Sequence, residues 1–230
     1  MDKNIMIPYK LFRSRRKTIA IHIKKDATVE IRAPLKMAVT DIEKFIESKE
    51  AWIQKYIGQR KQLNAEKSGF ALNYGDTVTL AGNTYPISPR EGNVVGFDGK
   101  CFYIPPDLPP NEIKDAVIQI YKAAARNIMK KKTAEYAKHM NVTPASVKVT
   151  DAKTRWGSCS GTNRINFSWR LVMADNDVIN YIVVHELAHI IEHNHSPRFW
   201  KVVEIFMPDY REMQKKLKIF QQQHVVQNWD

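Results

Sequence analysis

Apolar residues alternate with polar ones at Ile19, Ile21 and Ile23, and again at Val29, Ile31 and Ala33. A period of two is the spacing of a strand with one buried face. Lys24-Lys25-Asp26-Ala27 lies between the two runs, so the pattern predicts a β-hairpin that Pro34 ends. The period then changes. Ile42, Phe45, Ile46, Trp52, Ile53, Tyr56 and Ile57 recur at helical spacing, and Thr40 with Glu43 reads as a capping box at the start of one long helix. Residues 73–105 are rich in Gly, Thr, Val and Pro and predict further short strands, among them Val78-Thr79-Leu80 and Phe102-Tyr103-Ile104.

The prolines at 105, 106, 109 and 110 mark the best boundary in the chain. We therefore expect a β-rich N-terminal region over 1–108 and a second domain over 109–230. The second opens with a long helix carrying Ile113, Val117, Ile120, Tyr121 and Ile128, which Thr143-Pro144 closes. Val147 and Val149 begin a strand, Ile165 to Leu171 forms another, and helices over about 176–192, 197–206 and 209–222 finish the chain. The fold class is α+β. No internal repeat is evident.

The chemistry concentrates in one place. Four of the seven histidines fall at 185, 189, 193 and 195, and His185-Glu186-Leu187-Ala188-His189 sits in an apolar run. On a helix, positions i and i+4 share a face, so His185 and His189 can both reach one metal ion while Glu186 lies about 100° round the helix. This is the zinc-binding His-Glu-x-x-His pattern, with the glutamate placed as a general base. A third ligand is needed. His193 lies about 12 Å from His185 along a straight helix and cannot converge with it. His195 can, if the helix stops and the chain turns; Asn194 as terminator, Ser196 as N-cap and Pro197 as first helical residue supply such a turn. Glu204, on the next helix, is the alternative. His-x5-His is the metzincin spacing, but Glu192 stands where metzincins carry glycine.

Further segments flank this motif in a fixed order: Arg155-Trp156-Gly157-Ser158-Cys159, Ile165 to Leu171, Asn194 to Trp200, and Pro208-Asp209-Tyr210. With Ser14-Arg15-Arg16-Lys17 and Ala51-Trp52-Ile53, the series resembles the YgjP-like family of zinc metallopeptidases, relatives of the SprT and WLM groups. The resemblance implies a zincin-like domain with a small sheet and an active-site helix. It also implies one zinc ion on His185, His189 and His195, and Glu186 as general base in peptide hydrolysis. Asn180 stands where an acidic residue is expected in many relatives. Arg155, Trp156, Asn166 and Tyr210 are candidates for substrate or oxyanion contacts, with Tyr181 a further oxyanion candidate. The strand around Ile165-Asn166-Phe167-Ser168 is the candidate edge for an extended substrate. Trp156, Trp169 and Trp200 read as core or pocket walls, and Cys159 as a packed residue.

Composition limits the remaining choices. Only Cys101 and Cys159 are present, too few for a disulfide scaffold, and no run approaches the roughly 20 apolar residues of a membrane span. The start, Met1 to Pro8, lacks a secretory apolar stretch, so a cytoplasmic protein is expected. A net charge of +12 gathers partly at Arg13, Arg15, Arg16 and Lys17 and at Arg126, Lys130, Lys131 and Lys132. Such patches bring in nucleic acid as a partner alongside the peptide substrate, and a nucleotide phosphoanhydride as an alternative substrate for a zinc hydrolase.

Overall fold

The hairpin predicted from the period of two is present in the computed structural model, which describes residues 7–68, 70–224 and 229. Most of the segment read for a secretory signal (Met1 to Pro8) therefore lies outside the described residues. β2 (Ala20–Ile23) pairs antiparallel with β3 (Val29–Pro34), placing Ile21 opposite Ile31. The unpredicted β1 (Tyr9–Ser14) joins the other side of β3 in parallel, giving the order β1-β3-β2. Its alternation is short, and the exposed Phe12 breaks it. The helical stretch that follows is two helices rather than one: α1 (Val39–Ser48) and α2 (Glu50–Ser68), separated by Lys49 at φ −116°, ψ 7°. No capping box forms. The helix starts one residue ahead of Thr40, behind Ala38, which has no side-chain oxygen to accept a bond. Ile31, Ala33, Ile42, Ile46 and Ile53 are fully buried together in the core of this unit.

Compactness divides the chain at 70/71, whereas composition places a boundary at the prolines of 105–110. The strands between these points pack with the long helix in the second unit. They are β4 (Thr77–Leu80), β5 (Asn83–Pro89), β6 (Gly96–Phe97) and β7 (Phe102–Ile104), in the order β4-β5-β7-β6. α3 (Pro110–His139) lies against them: Tyr121 stacks edge-on to Phe102 and donates its hydroxyl to the carbonyl of Thr79 at 2.8 Å.

The remaining strands are β8 (Ser146–Thr150), β9 (Gly157–Cys159) and β10 (Arg164–Ser168). They form a sheet in the order β8-β10-β9, with β10 parallel to β8 and antiparallel to β9. β10 ends at Ser168 rather than Leu171, because the chain tightens into a 3₁₀ turn over Trp169–Met173. Asp151 holds that turn, accepting from the Trp169 indole at 2.7 Å and the buried Arg170 guanidinium at 2.6 Å. α4 (Asn176–Ile191), α5 (Pro197–Phe206) and α6 (Tyr210–His224) complete an α+β arrangement of six α-helices and three small sheets among the described residues. No described helix is long and apolar enough to cross a membrane. Both cysteines are free thiols.

Candidate metal centre

α4 is apolar on nearly every side, with Val178, Ile179, Val183, Val184, Leu187 and Ala188 fully buried, so its polar residues must find partners in a dry setting. The helix stops at Glu192, two residues ahead of Asn194. Glu192 lies at φ −140°, ψ 107°, extended backbone that any residue adopts. The glycine of the metzincin turn is therefore not needed here. Ser196 then caps α5, its hydroxyl accepting from the Phe199 amide at 3.3 Å, with Pro197 as first helical residue. The short connection folds His195 back over α4.

The three imidazoles converge. One ring nitrogen from each of His185, His189 and His195 lies within 4.8 Å of the other two, and the Nε2 atoms of His185 and His195 are 3.1 Å apart. His189 donates Nδ1–H to the carbonyl of Glu192 at 3.3 Å, leaving Nε2 as the lone-pair nitrogen. The residues that end α4 therefore also fix this tautomer. Buried Phe199 touches all three rings, with centroid distances of 4.9, 4.4 and 4.8 Å. Trp200 stacks on His195 at 5.8 Å and on Tyr210 at 5.3 Å, which walls the outer side. Phe199 has no role that spacing alone reveals.

The electrostatics suit a cation. Burial, followed by the neighbouring His189 and His195, pushes His185 down to about 3, so its ring is neutral at physiological pH. His189 is lowered for the same first reason. Buried Nδ1 of His185 has no hydrogen-bond partner, which leaves Nε2 as the ring's polar contact. Neutral imidazole nitrogens favour zinc and related first-row ions over magnesium or calcium. The residues fit such an ion.

Glu186 is 5% exposed, and burial alone pushes its carboxyl up to about 8. What holds it is the backbone of β9. A side chain at Gly157 would meet Glu186 Cγ at 2.6 Å and Cδ at 2.8 Å. Gly157 and Cys159 oppose Phe167 and Ile165, so both face inward, and Glu186 contributes to raising the Cys159 thiol, after burial. Gly157 thus supplies room for Glu186. Its only sequence trace is the absence of a Cβ in Trp156-Gly157-Ser158.

The other candidates are dispersed. Asn166 opposes Ser158 and lines a 440 Å³ hollow with exposed Arg155 and with Gly157 and Ser158 of β9. β10 is the central strand, paired on both sides, so it offers no edge to a substrate; the edge beside α4 is β9. Trp156 packs on Phe220 at 5.0 Å. Tyr210 is buried beneath Trp200 and accepts from Arg211 at 3.1 Å, whereas Tyr181 lies against His185 at 5.8 Å. Glu204 and His193 are exposed and stand outside the histidine cluster. Asn180 accepts from the Lys132 ammonium at 2.6 Å, and Arg13 donates to the carbonyls of Pro34, Leu35 and Met37, so both basic patches lose a member to structural bonds.

Two crystal structures resemble part of this chain. One is the metallopeptidase zymogen of Pyrococcus abyssi abylysin, 20% identical, covering 41% of this chain and 95% of its own, with a TM-score of 0.38. The other is the metallopeptidase zymogen of Methanocaldococcus jannaschii jannalysin, 24% identical over the same shares, with a TM-score of 0.36. No curated protein sequence matches significantly. The family model for the YgjP-like metallopeptidase domain matches residues 17–220, nearly the whole chain, and the chain accordingly belongs to the YgjP-like metallopeptidase family.

Proposed function

We propose that this metallopeptidase holds one zinc ion on His185, His189 and His195 and hydrolyses peptide bonds with Glu186 as general base. The observation that carries the proposal is the meeting of three imidazoles beside the buried carboxyl of Glu186. When bound, zinc supplies Lewis acidity and makes water acidic enough to ionise near neutral pH. The chain's own residues do the rest. Glu186 takes a proton from the attacking water and passes it to the leaving amine. The backbone of Gly157 keeps that side chain in one place; burial by itself favours its protonated form, and a cation held by the histidines would favour the ionised form that serves as base. Phe199 holds the three rings in register and excludes water behind them. An extended substrate pairs with the edge of β9 that has no strand partner among the described residues, which brings its carbonyl past Glu186. Tyr181, against His185, and Tyr210, against Trp200, are the oxyanion-stabilising candidates.

Metal analysis and proteolysis assays test this together. Glu186→Gln is expected to retain about one zinc per chain and lose at least roughly a thousandfold in hydrolysis, a loss of the size seen when a group central to the chemistry is removed. His185→Ala is expected to lose the metal. Full activity in Glu186→Gln, or purified protein without a transition metal, would overturn the proposal.

A further inference from the structure

At the opposite edge of the same sheet from β9, β8 pairs with β10 on one side only among the described residues. Beside it, between β8 and α3, lies an open groove of about 890 Å³. Its floor is apolar, built from Met129 and Ala137 of α3 and from Val147 and Val149 of β8. The two valines oppose Ile165 and Phe167 in register, so they point to the inward face of the sheet. The rim is cationic. Arg126, Lys130 and Lys138 project from α3 and Lys148 from β8, all four exposed, and no carboxylate lines the groove.

Two observations separate this groove from an ordinary solvated helix face. The first is charge segregation along α3: Glu135 acts on Lys132 and Tyr136 together with Asp177, so it serves the flank towards α4 and not the groove. The second is Thr133, which lines the groove, is 1% exposed, and carries a hydroxyl with no hydrogen-bond partner. Buried hydroxyls without partners are costly and uncommon. A polar group arriving in the groove would satisfy this one.

We propose that the β8 edge and its groove dock an extended, acidic segment of a partner protein. The segment adds to β8 through backbone hydrogen bonds, sets alternate side chains on the apolar floor, and places carboxylates against the four rim cations. A nucleic-acid backbone would engage the cations but leave the strand edge and the apolar floor unused. This site does not depend on the metal chemistry at the other edge.

Fluorescence anisotropy on the full chain tests it, with a labelled octapeptide of alternating Val and Glu as probe. Saturable binding is expected. The affinity is expected to fall at least tenfold in Lys130→Glu/Lys138→Glu, an exposed pair whose replacement leaves the melting temperature unchanged. A similar fall is expected when alternate peptide amides are N-methylated, which blocks strand pairing, and when Glu is exchanged for Gln. Thr133→Val, nearly equal in volume, is expected to weaken the peptide severalfold while leaving the free protein at least as stable. Absence of saturable binding, unchanged affinity in the double variant, or indifference to N-methylation would overturn the proposal. So would a labelled single-stranded oligonucleotide that binds more tightly and is lost in the same double variant.

Discussion

Gly157 lacks a side chain where one would collide with the carboxylate most central to the proposed chemistry. Gly157→Ala must either push Glu186 off its position or move β9. The expected result is zinc retained, because the histidines are untouched, with kcat down at least about tenfold and KM changed little, the signature of a misplaced general base. Unchanged kcat would remove Gly157 from this role. A second residue-scale effect concerns the metal-stripped protein. Glu186 titrates near 8 when folded and near 4.5 when unfolded, so between those values the folded state holds the extra proton and stability falls as pH rises. His185 titrates near 3 when folded and near 6.5 when unfolded, so its contribution is present above 6.5 and is lost as pH falls below it. The two slopes oppose each other below 6.5. From 6.5 to 8 the Glu186 decline stands clear of His185, with a slope of at most about 1.4 kcal/mol per pH unit. Chemical denaturation of stripped protein across this window is expected to show the decline, and Glu186→Gln to flatten it.

α4 and α5 function as a pair because of how one ends and the next begins. Glu192 ends α4 and accepts from His189, Ser196 starts α5, and Phe199 in its first turn braces every imidazole. Ser196→Ala removes the cap and is expected to cost about 1 kcal/mol of stability. Because the cap anchors Phe199 and the return of His195, zinc affinity is expected to fall several-fold in the same variant. Competition with a chromogenic chelator reads this directly. An affinity equal to wild type would uncouple the cap from the site. The spacing of His185, His189 and Ser196-Pro197 made this corner legible in sequence. Gly157 and Phe199 were not, since their roles depend on which element packs over them.

The second unit brings together an edge at β9, which packs against Glu186, and a cationic edge at β8 on a single three-stranded sheet. Ligands that bind only the folded state stabilise it by mass action, about 4 kcal/mol at a thousand times Kd. Thermal melts with and without a chelator are therefore expected to separate by several degrees, and His185→Ala to show the lower transition under both conditions. A chelator-insensitive melt of the wild type would rule out zinc as a stabilising ligand. Part of the +12 charge gathers in this unit at Arg126, Lys130, Lys138 and Lys148, while Lys132 turns away to donate to Asn180.

Local pattern alone determined the hairpin at 20–34, the long helix over 110–139, the three closing helices, and the pair of histidines one turn apart, because each depends on periods and caps that act over a few residues. Tertiary structure decided what depends on distant partners. The parallel β1 needs β3 beside it, the strands of 77–104 need α3 to cover them, and β10 is a centre rather than an edge because β8 and β9 flank it. The same holds for the meeting of His195, rather than Glu204, with His185 and His189: where the returning chain comes to rest brings the side chains together, and periodicity carries no information about that.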